Sequence, residues 1–596
     1  MPEPAWKRRF LAPTISTPSW ARDDPDRCVY VSNVTGTSEL YTWDRRMGTH
    51  QQATKRPEGT MSGTLTPEGD ALWWFDDTKG NEKGRWRTQP FGDGPGDAAP
   101  TAASIDPGYP TGIALASGGR AAIGLAGEGR HRIYAVVPGE ATVVLHDHHE
   151  ASGVGGWSRD EMLLSFSHAE HGDNRNRALR VVTADGTRVG DLWDGTGLGV
   201  ASFSWSDVDG DQRLLIAHER RGSRHPALWS PVDGSVVDLD VDLGDHELIG
   251  ADWYPDAAAV LLWTIGRGRG QLLRHELVTG ASEVVPTTPG MITGARVRPD
   301  GEVWWSGSDA ATPPVVHCGK EILRPPGEVA PGGVPYEDVL VEGPGGAVHG
   351  FVARPSTGDG PFPAVFRIHG GPAGVDTDAF TAPVQAWVDH GFAVVMVNYR
   401  GSVGYGKAWA DAIVGKPGYR ELEDIAAVRE AVVRAGIADP DRLVLHGGSW
   451  GGYLTLLGVG TQPDLWSLGV SGVPLASLRD HYWQQGEVLQ AYWRTLFGGT
   501  PDTLGSDLDE IDPIASVGRI RVPVFVLVGD NDPRCPLPQV LTYVEELAAA
   551  GVDHELYRYD AGHGSMVVEE QIDQLSRCID FVARHLNTLP PHVWEG

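Results

Sequence analysis

A turn followed by a short apolar strand recurs seven times in the first half of the chain. Examples are TPEGDALWWF, YPDAAAVLLW and RPDGEVWWSG. Successive copies begin 42, 50, 42, 49, 47 and 44 residues apart, with the turns anchored at Pro25, Pro67, Ser117, Arg159, Val208, Pro255 and Pro299. Repeats of this length, with several short strands each, are typical of β-propeller blades, which bury their faces only against neighbouring blades. We therefore predict a seven-bladed β-propeller, with a pair of β-sandwiches as the alternative.

The second half of the chain has a different pattern. It follows LRPPGEVAPGGVPYEDV, a segment rich in proline and glycine that is typical of a linker. Strands that are apolar throughout, such as FAVVMVNYR and VPVFVLVGD, then alternate with amphipathic helical stretches. This alternation indicates a mostly parallel sheet covered by helices on both faces. The predicted organisation is an N-terminal extension over residues 1–20, a propeller over 21–325 and an α/β domain over 326–596.

Charge and composition narrow the possible partners. The formal net charge of −30 disfavours nucleic acid and anionic membranes as partners. The four cysteines are far apart and form no CxxC pair, so neither a disulfide framework nor a zinc ribbon is indicated. No window approaches about 18 uninterrupted apolar residues, and the first twenty residues do not resemble a signal peptide. We expect a cytoplasmic protein without a membrane span; the sequence leaves homo-oligomerisation open.

One glycine-rich turn carries the strongest chemical signal in the chain. Gly447-Gly448-Ser449-Trp450-Gly451 fits G-x-S-x-G, with the strand RLVLH before it and the helix-like GYLTLLGVG after it. A strand, a tight turn and a helix around such a serine form the nucleophile elbow of α/β-hydrolases. The glycines are needed because side chains on either side of the serine would clash. We predict that Ser449 is a nucleophile and that the second domain is an α/β-hydrolase domain.

A serine nucleophile needs a base, and the base needs a carboxylate that orients it. In this fold the chain order is serine, acid, histidine. His563, in the glycine-flanked loop YDAGHGSM, is the predicted base, in preference to His481 and His554. Asp530 and Asp532 both follow the apolar strand VPVFVLVGD, so either carboxylate could be the acid.

Two backbone N–H groups are the candidates for an oxyanion hole. The first belongs to Trp450, which follows the serine at a predicted helix N-terminus. The second is the N–H of Gly370 or Gly371 in FRIHGGPAG, a strand that ends in a Gly-Gly turn as in esterases and lipases. Pro372 has no N–H and is excluded. No metal or cofactor is needed for this chemistry.

Several motifs together resemble the prolyl oligopeptidase family of serine peptidases, and most of all its acylaminoacyl peptidase and aminopeptidase branch. The matching stretches are HGGP, NYRGSVGYG, GGSWGGY, VGDNDPRCP and GHG. The resemblance implies Ser449 as nucleophile, His563 as base and Asp532 as acid, since the family's acid stands two residues before an Arg-x-Pro. It implies that Arg534 binds a substrate carbonyl and that the propeller restricts substrates to small or unfolded ones.

The sequence departs from the family at two places. Prolyl oligopeptidase itself uses a tyrosine hydroxyl for the oxyanion, whereas this chain has His369, which favours a backbone donor. The adjacent glutamates that bind a free amino terminus in dipeptidyl peptidases of the family are absent from the first half, where no Glu-Glu pair occurs. Dipeptidyl peptidase activity is therefore disfavoured.

Aromatic residues between the serine and the acid are candidates for a substrate pocket. They lie in RDHYWQQGEVLQAYWRTLFGG, and the predicted substrate-binding residues are Tyr482, Trp483 and Trp493, with Tyr492 and Phe497 as further candidates. A helix face packed in the core is the alternative. The sequence predicts a serine peptidase or amidase that cleaves short peptides or aminoacyl amides through an acyl-enzyme. An esterase, or an amidase for a non-peptide, antibiotic-like aminoacyl substrate, is the alternative function.

Overall fold

The computed structural model describes residues 3–96 and 100–588 and confirms the predicted seven-bladed propeller. Among the described residues, each blade is an antiparallel sheet of four strands, except the second, for which three strands are described. The strands are Ser19–Trp20 (β1), Arg27–Ser32 (β2), Glu39–Asp44 (β3), Thr49–Gln52 (β4); Gly63–Leu65 (β5), Ala71–Asp77 (β6), Gly84–Pro90 (β7); Tyr109–Ala116 (β8), Arg120–Gly127 (β9), Arg130–Val136 (β10), Val143–His148 (β11); Ser152–Trp157 (β12), Leu163–His168 (β13), Ala178–Thr183 (β14), Arg188–Leu192 (β15); Val200–Trp205 (β16), Leu214–His218 (β17), His225–Ser230 (β18), Ser235–Asp238 (β19); Glu247–Trp253 (β20), Ala259–Gly266 (β21), Arg269–Glu276 (β22), Ser282–Val285 (β23); Met291–Val297 (β24), Val303–Ser308 (β25), Val315–Cys318 (β26) and Glu321–Leu323 (β27).

The recurring turns of the sequence fall between the first and second strands of each blade. The second strand is then deeply buried, as in β17, all five residues of which are buried. Tryptophans join neighbouring blades, because an indole N–H at the end of a first strand donates to a carbonyl on the first strand of the preceding blade. The pairs are Trp157 with Ala114 at 3.1 Å, Trp205 with Gly156 at 2.8 Å and Trp253 with Ser204 at 3.0 Å.

The second domain is built on a single eight-stranded sheet. Its strands are Glu337–Gly343 (β28), Gly346–Ala353 (β29), Phe362–Ile368 (β30), Ala393–Asn398 (β31), Ala438–Gly448 (β32), Leu468–Gly472 (β33), Val524–Gly529 (β34) and His554–Tyr559 (β35). They lie in the order β28-β29-β31-β30-β32-β33-β34-β35. The strands from β30 onwards pair in parallel, whereas β28 and β29 pair antiparallel at one edge. The carboxyl ends of the parallel strands therefore meet at one edge of the sheet.

Helices cover both faces of this sheet. They are Ala5–Leu11 (α1), Ala382–Asp389 (α2), Lys407–Ala410 (α3), Tyr419–Arg434 (α4), Trp450–Thr461 (α5), Leu478–Gln484 (α6), Glu487–Phe497 (α7), Pro501–Leu504 (α8), Leu537–Ala549 (α9) and Val568–Leu586 (α10). One apolar core lies between the sheet and helices α4, α5 and α9, and a second between the sheet and α2 and α10. Burial on both faces explains why the strands are apolar throughout.

The N-terminal residues belong structurally to the second domain. Trp6 and Phe10 of α1 are buried in the core that α2 and α10 form. Arg9 donates to the carbonyl of Gly332 at 2.8 Å and pairs with Asp389 at the end of α2. The proline-rich segment connects β27 to β28, so the chain passes from one domain to the other between residues 323 and 337. Within the described residues, no helix is both long and apolar enough to span a bilayer.

Candidate active site

Ser449 lies in a sharp turn between β32 and α5, as the sequence predicts. Its backbone has φ 57° and ψ −119°, in a region that residues with a side chain rarely adopt. The N–H of Ser449 donates to the carbonyl of Gly472 on the neighbouring strand β33, at 2.9 Å. This bond holds the strained turn at the carboxyl end of the parallel strands, where α/β proteins place their ligands.

The glycines beside the serine are required by close backbone contacts. A Cβ at Gly447 would lie 2.5 Å from the carbonyl of Gly451, and one at Gly451 would lie 2.0 Å from the oxygen of Ile368 on β30. Contacts this short do not occur between real Cβ atoms and their neighbours, so a side chain would force the turn open. The G-x-S-x-G pattern is therefore a consequence of how tightly the turn packs on the neighbouring strand.

Asp532 and His563 form a hydrogen-bonded pair, with 2.8 Å between Oδ2 of the aspartate and Nδ1 of the histidine. The Asp532 side chain is fully buried. Its Oδ1 accepts the N–H groups of Arg534 at 2.8 Å and Cys535 at 2.9 Å, so the loop after β34 fixes the carboxylate. A buried carboxylate on Nδ1 orients an imidazole and leaves Nε2 for a reacting partner.

The other acid and histidine candidates lie elsewhere or bond differently. The carboxylate of Asp530 pairs with the exposed side chain of Arg558 at 2.8 Å. His554 at the start of β35 bonds its Nδ1 to the Val552 carbonyl, at the opposite end of that strand from His563. His481 is buried with its Nε2 2.8 Å from the Arg534 carbonyl, and burial lowers its pKa to about 4, so its imidazole is neutral near pH 7.

Two kinds of backbone N–H reach the neighbourhood of the serine. The N–H of Trp450 is the first in α5 and has no acceptor within its own helix. Gly370 lies against the turn, because a Cβ placed there would be 3.4 Å from the Cβ of Ser449. Gly371 lines the same cavity as Ser449. These are the groups that the sequence predicts for an oxyanion hole.

The side chain of His369 is held inside the hydrolase domain. Its ring stacks on Tyr399 with 4.3 Å between centroids, and its Nε2 lies 2.8 Å from the hydroxyl of Ser402. The hydroxyl of Tyr399 donates to the His369 carbonyl at 2.7 Å. Burial lowers the pKa of His369, so the imidazole carries no charge near pH 7. The Gly-Gly turn thus follows a histidine whose ring is stacked and hydrogen-bonded inside the domain. The polar groups that the turn can offer to a substrate are therefore those of its backbone.

A largely apolar cavity of about 120 Å³ opens beside Ser449. Its walls come from the elbow, from the Gly-Gly turn, from the loop after β34 and above all from α7, which contributes Leu489, Tyr492, Trp493, Leu496 and Phe497. The rings of Trp493 and Phe497 stack with 4.0 Å between centroids. The predicted aromatic segment therefore supplies one wall of this cavity, and leucines that the sequence pattern did not single out supply much of the rest.

Two of the predicted pocket residues lie outside this cavity. Trp483 has 59% of its surface exposed and does not line it. Tyr482 is buried but also lies behind the wall, where its ring packs on Trp493 with 4.9 Å between centroids. These two residues lie outside the cavity because the aromatic segment is divided into two helices, α6 with Tyr482 and Trp483 and α7 with Trp493. Only α7 turns an apolar face to the serine, and the break is not evident from the aromatic spacing.

Arg534 lies where the two domains meet. Its Nε is 2.7 Å from Oε1 of Glu82, a residue in the β6–β7 turn of the propeller. Arg534 and Leu489 line both the cavity beside Ser449 and a second cavity of about 540 Å³ between the domains. The second cavity also has walls from blades 2 and 3, including Phe75 and Tyr109. The propeller thus forms part of the surroundings of the site, as the resemblance implied, although the motifs did not indicate which propeller residues contact it.

Cys535 lines the same cavity as Ser449 and lies beside the acid and the histidine. Burial raises the pKa of its thiol well above the usual value. The donor atoms of Asp532, Cys535 and His563 lie within 4.8 Å of one another, a spacing compatible with a metal ion. The protonated thiol is a poor metal ligand, however, and the histidine and aspartate are already bonded to each other. The donor set fits a hydrogen-bonded catalytic group better than a metal centre.

The fold joins a β-propeller to an α/β-hydrolase domain, and the candidate site has the strained serine turn and the aspartate–histidine pair that serine hydrolases use. Residues 379–589, most of the α/β-hydrolase domain, match the prolyl oligopeptidase family of serine peptidases. The resemblance noted from the motifs is confirmed.

Individual relatives are distant in sequence and similar in fold. The acylamino-acid-releasing enzyme of Rattus norvegicus is 26% identical over 376 residues, which cover 60% of this chain and 50% of that enzyme. The chain thus spans about half the length of this relative. A solved structure from a study of two prolyl endopeptidases superimposes with a TM-score of 0.83 at 18% identity, covering 98% of this chain and 91% of that one. The structure of a puromycin hydrolase superimposes with a TM-score of 0.82 at 20% identity, covering 98% of this chain and 97% of that one.

Proposed function

We propose that this protein is a serine peptidase or amidase that hydrolyses short peptides or aminoacyl amides. The observation that carries the proposal is the bond between Asp532 and His563 beside the strained turn of Ser449. In this proposal His563 takes the proton of the Ser449 hydroxyl as the oxygen attacks the carbonyl carbon. The histidine then protonates the leaving amine, and water releases the acyl group from the serine.

The proposed oxyanion donors are the N–H groups of Trp450 and Gly371, with Gly370 as the alternative second donor. Trp450 is favoured because its N–H lies at a helix N-terminus, where the helix dipole also stabilises negative charge. Gly371 is favoured over Gly370 because it shares a cavity wall with Ser449. Fixed donors of this kind commonly contribute about 100- to 1000-fold to kcat.

The proposed pocket for the acyl side chain is the cavity walled by α7. Its small volume and aromatic walls suit one apolar or aromatic side chain of a substrate. We propose that Arg534 binds a backbone carbonyl of the substrate from the side facing the propeller. Its pairing with Glu82 would then orient the guanidinium without burying it, since about half of the Arg534 side chain is exposed.

The position of the propeller supports a limit on substrate size. The β6–β7 turn of blade 2 contacts the loops that carry Arg534 and His563, so a folded protein would meet the propeller before it met Ser449. The bonds that support this are Glu82 with Arg534 and Lys79 with Asp560, the latter at 2.8 Å. We therefore propose short or unfolded peptides as the substrates. Neither the geometry nor the comparisons favour the alternative of an ester or an antibiotic-like amide.

We further propose a reducing, cytoplasmic location. All four cysteines are buried and unpaired, which is the usual state of thiols in a reducing compartment. Whether copies of the chain associate stays a prediction left open by the sequence.

The direct test of the proposed function is Ser449→Ala, assayed with free and N-acylated aminoacyl nitroanilides and with tripeptides. We expect no turnover and no labelling by an organophosphonate, because both need the hydroxyl oxygen. Thr461→Ser, at the far end of α5, is a control that should retain both. Full activity in Ser449→Ala would overturn the proposed function.

A further inference from the structure

A cavity of about 450 Å³ inside the propeller has basic walls. It opens between β12 and β16, the first strands of two successive blades, and the loop from β13 to β14 covers it. We call it the basic chamber; its charged lining residues are Arg175, Arg177, Arg224 and Glu219. Three guanidinium groups thus face one carboxylate in a protein whose net charge is −30.

Two of the three arginines and the glutamate already have partners. Arg175 pairs with Asp411 of the hydrolase domain at 3.2 Å. Glu219 accepts from Lys407 at 3.0 Å and from the N–H of Gly199 at 2.9 Å. Arg224 lies 3.8 Å from the same glutamate and is half exposed. The charge of these groups is therefore compensated within the protein.

Arg177 differs from these groups. Within residues 3–96 and 100–588 its guanidinium has neither an ion pair nor a side-chain hydrogen bond, although the side chain is mostly buried. Its Nη1 lies across the inner strand, 3.6 Å from where a Cβ of Gly153 would be, which is an ordinary contact distance. Burial lowers its pKa, and an unpaired buried cation is costly unless an anion joins it.

The loop that lines the chamber also packs on α7, the helix that forms a wall of the cavity beside Ser449. Burial raises the pKa of Tyr492, which lines the cavity at the serine, and the nearby charge of Arg175 acts in the opposite direction. On the same side, the N–H of Asn174 donates to Thr495 of α7 at 3.3 Å. The loop that carries Arg177 thus packs on the helix that forms the pocket wall.

We propose that Arg177 binds the terminal carboxylate of a short peptide whose scissile carbonyl lies at Ser449. A guanidinium is the side chain that best matches a carboxylate, through two parallel N–H···O bonds. The site would select peptides with a free C-terminus, although the protein's negative charge otherwise repels them. This inference rests on the proposed function, because it names the substrate class of the same serine.

The test compares Phe-Gly-Gly with its C-terminal amide, which differs only in the charge of that end. We expect the wild-type kcat/KM to be about ten-fold or more higher for the acid, the usual scale of a charge-assisted hydrogen bond. Arg177→Gln should bring the ratio of acid to amide close to one. Arg177→Lys should restore part of the preference. Arg188→Gln, which removes an exposed arginine from β15 of the same blade, should leave the ratio unchanged.

A binding measurement separates this proposal from the proposed function. Ser449→Ala should bind Phe-Gly-Gly more tightly than the amide in calorimetry, and Ser449→Ala/Arg177→Gln should not. If neither peptide is cleaved but Ser449→Ala binds the acid more tightly than the amide, the proposed function fails, whereas the proposal that Arg177 binds a carboxylate is supported. If both peptides are cleaved equally well by the wild type and by Arg177→Gln, or bind equally to Ser449→Ala, the chamber proposal is overturned. Thermal unfolding of each variant checks that Arg177→Gln folds as the wild type does.

Discussion

The backbone of Gly562 lies directly against the backbone of Gly80, although one glycine belongs to the loop before His563 and the other to the propeller. A Cβ at Gly562 would lie 1.9 Å from the carbonyl oxygen of Gly80. The neighbouring ion pair between Lys79 and Asp560, at 2.8 Å, fixes the same contact. The propeller therefore supports the loop that carries the candidate base, so contacts from both domains fix the position of His563.

This contact predicts the effect of Gly562→Ala. The added methyl group cannot fit while the propeller turn and the His563 loop keep their places, so one of them must move. We expect kcat/KM to fall by about 100-fold, the scale associated with an ångström of misplacement at a catalytic group. Gly564→Ala is the matched control, because a Cβ there would contact nothing within 4 Å. Equal activity of the two variants would show that the propeller contact is not needed.

The pairing with His563 predicts that Asp532 and Asp530 differ sharply in importance. Asp532→Asn keeps the shape of the side chain but removes the charge that holds the histidine ring in its reactive orientation. We expect kcat to fall on the order of 10⁴-fold, as in other enzymes with a serine–histidine–aspartate triad. Asp530→Asn removes only an ion pair with the exposed Arg558, so its kcat should stay within about two-fold of the wild-type value. Steady-state kinetics on one aminoacyl nitroanilide decides between the two carboxylates; a greater loss in Asp530→Asn would reverse the assignment.

The cavity beside Ser449 predicts a change in substrate preference for Leu489→Trp. The larger side chain would fill space beside the serine, so phenylalanyl nitroanilide should lose at least about ten-fold in kcat/KM while alanyl nitroanilide is retained. Trp483→Ala is the comparison, since Trp483 is exposed and lies outside the cavity. Its kinetics should match those of the wild type on both substrates. If Trp483→Ala alone changes the preference, the pocket lies elsewhere.

A buried histidine in β32 predicts part of the response of stability to pH. His446 is neutral and bonds the Val470 carbonyl through Nδ1 at 3.0 Å, and burial lowers its pKa to about 4. The unfolded chain takes up a proton near pH 6.5 and the folded chain does not, so this group's stabilising contribution is full above pH 6.5 and falls as the pH drops towards 4. We expect the wild type to lose about 2 kcal/mol more than His446→Gln between pH 7.5 and pH 5.

The measurement is urea unfolding of wild type and variant at both pH values. His554→Gln, which replaces a partly exposed histidine on the same sheet, is the control and should follow the wild type. Other buried groups act in both directions. Burial lowers the pKa of His131 and His481 to about 4 and raises those of Asp512 and Glu421 to about 6 and 8. Only the difference between wild type and variant isolates His446, and equal losses in both would contradict the prediction.

Local sequence was sufficient for features that depend on local geometry. The blade repeat was readable because each turn and buried strand must recur at the spacing of one blade. The elbow was readable because only glycine fits at Gly447 and Gly451. The pocket was less predictable, because aromatic residues at helical spacing look the same whether they face a cavity, as Trp493 does, or solvent, as Trp483 does. The break between α6 and α7 determines that Trp493 faces the cavity and Trp483 faces solvent.

The sequence by itself determined the two domain types, the order of the candidate serine, acid and histidine, and the family of the catalytic domain. Repeats, glycine requirements and short motifs are properties of neighbouring residues, so they are present in the linear chain. Only the tertiary structure decided what surrounds those residues. The contacts of Gly80 with Gly562 and of Glu82 with Arg534 join residues more than 400 positions apart, and the unpaired state of Arg177 depends on every neighbour that could have paired with it. Such relationships follow from the closing of the propeller over the hydrolase domain, and no local pattern encodes them.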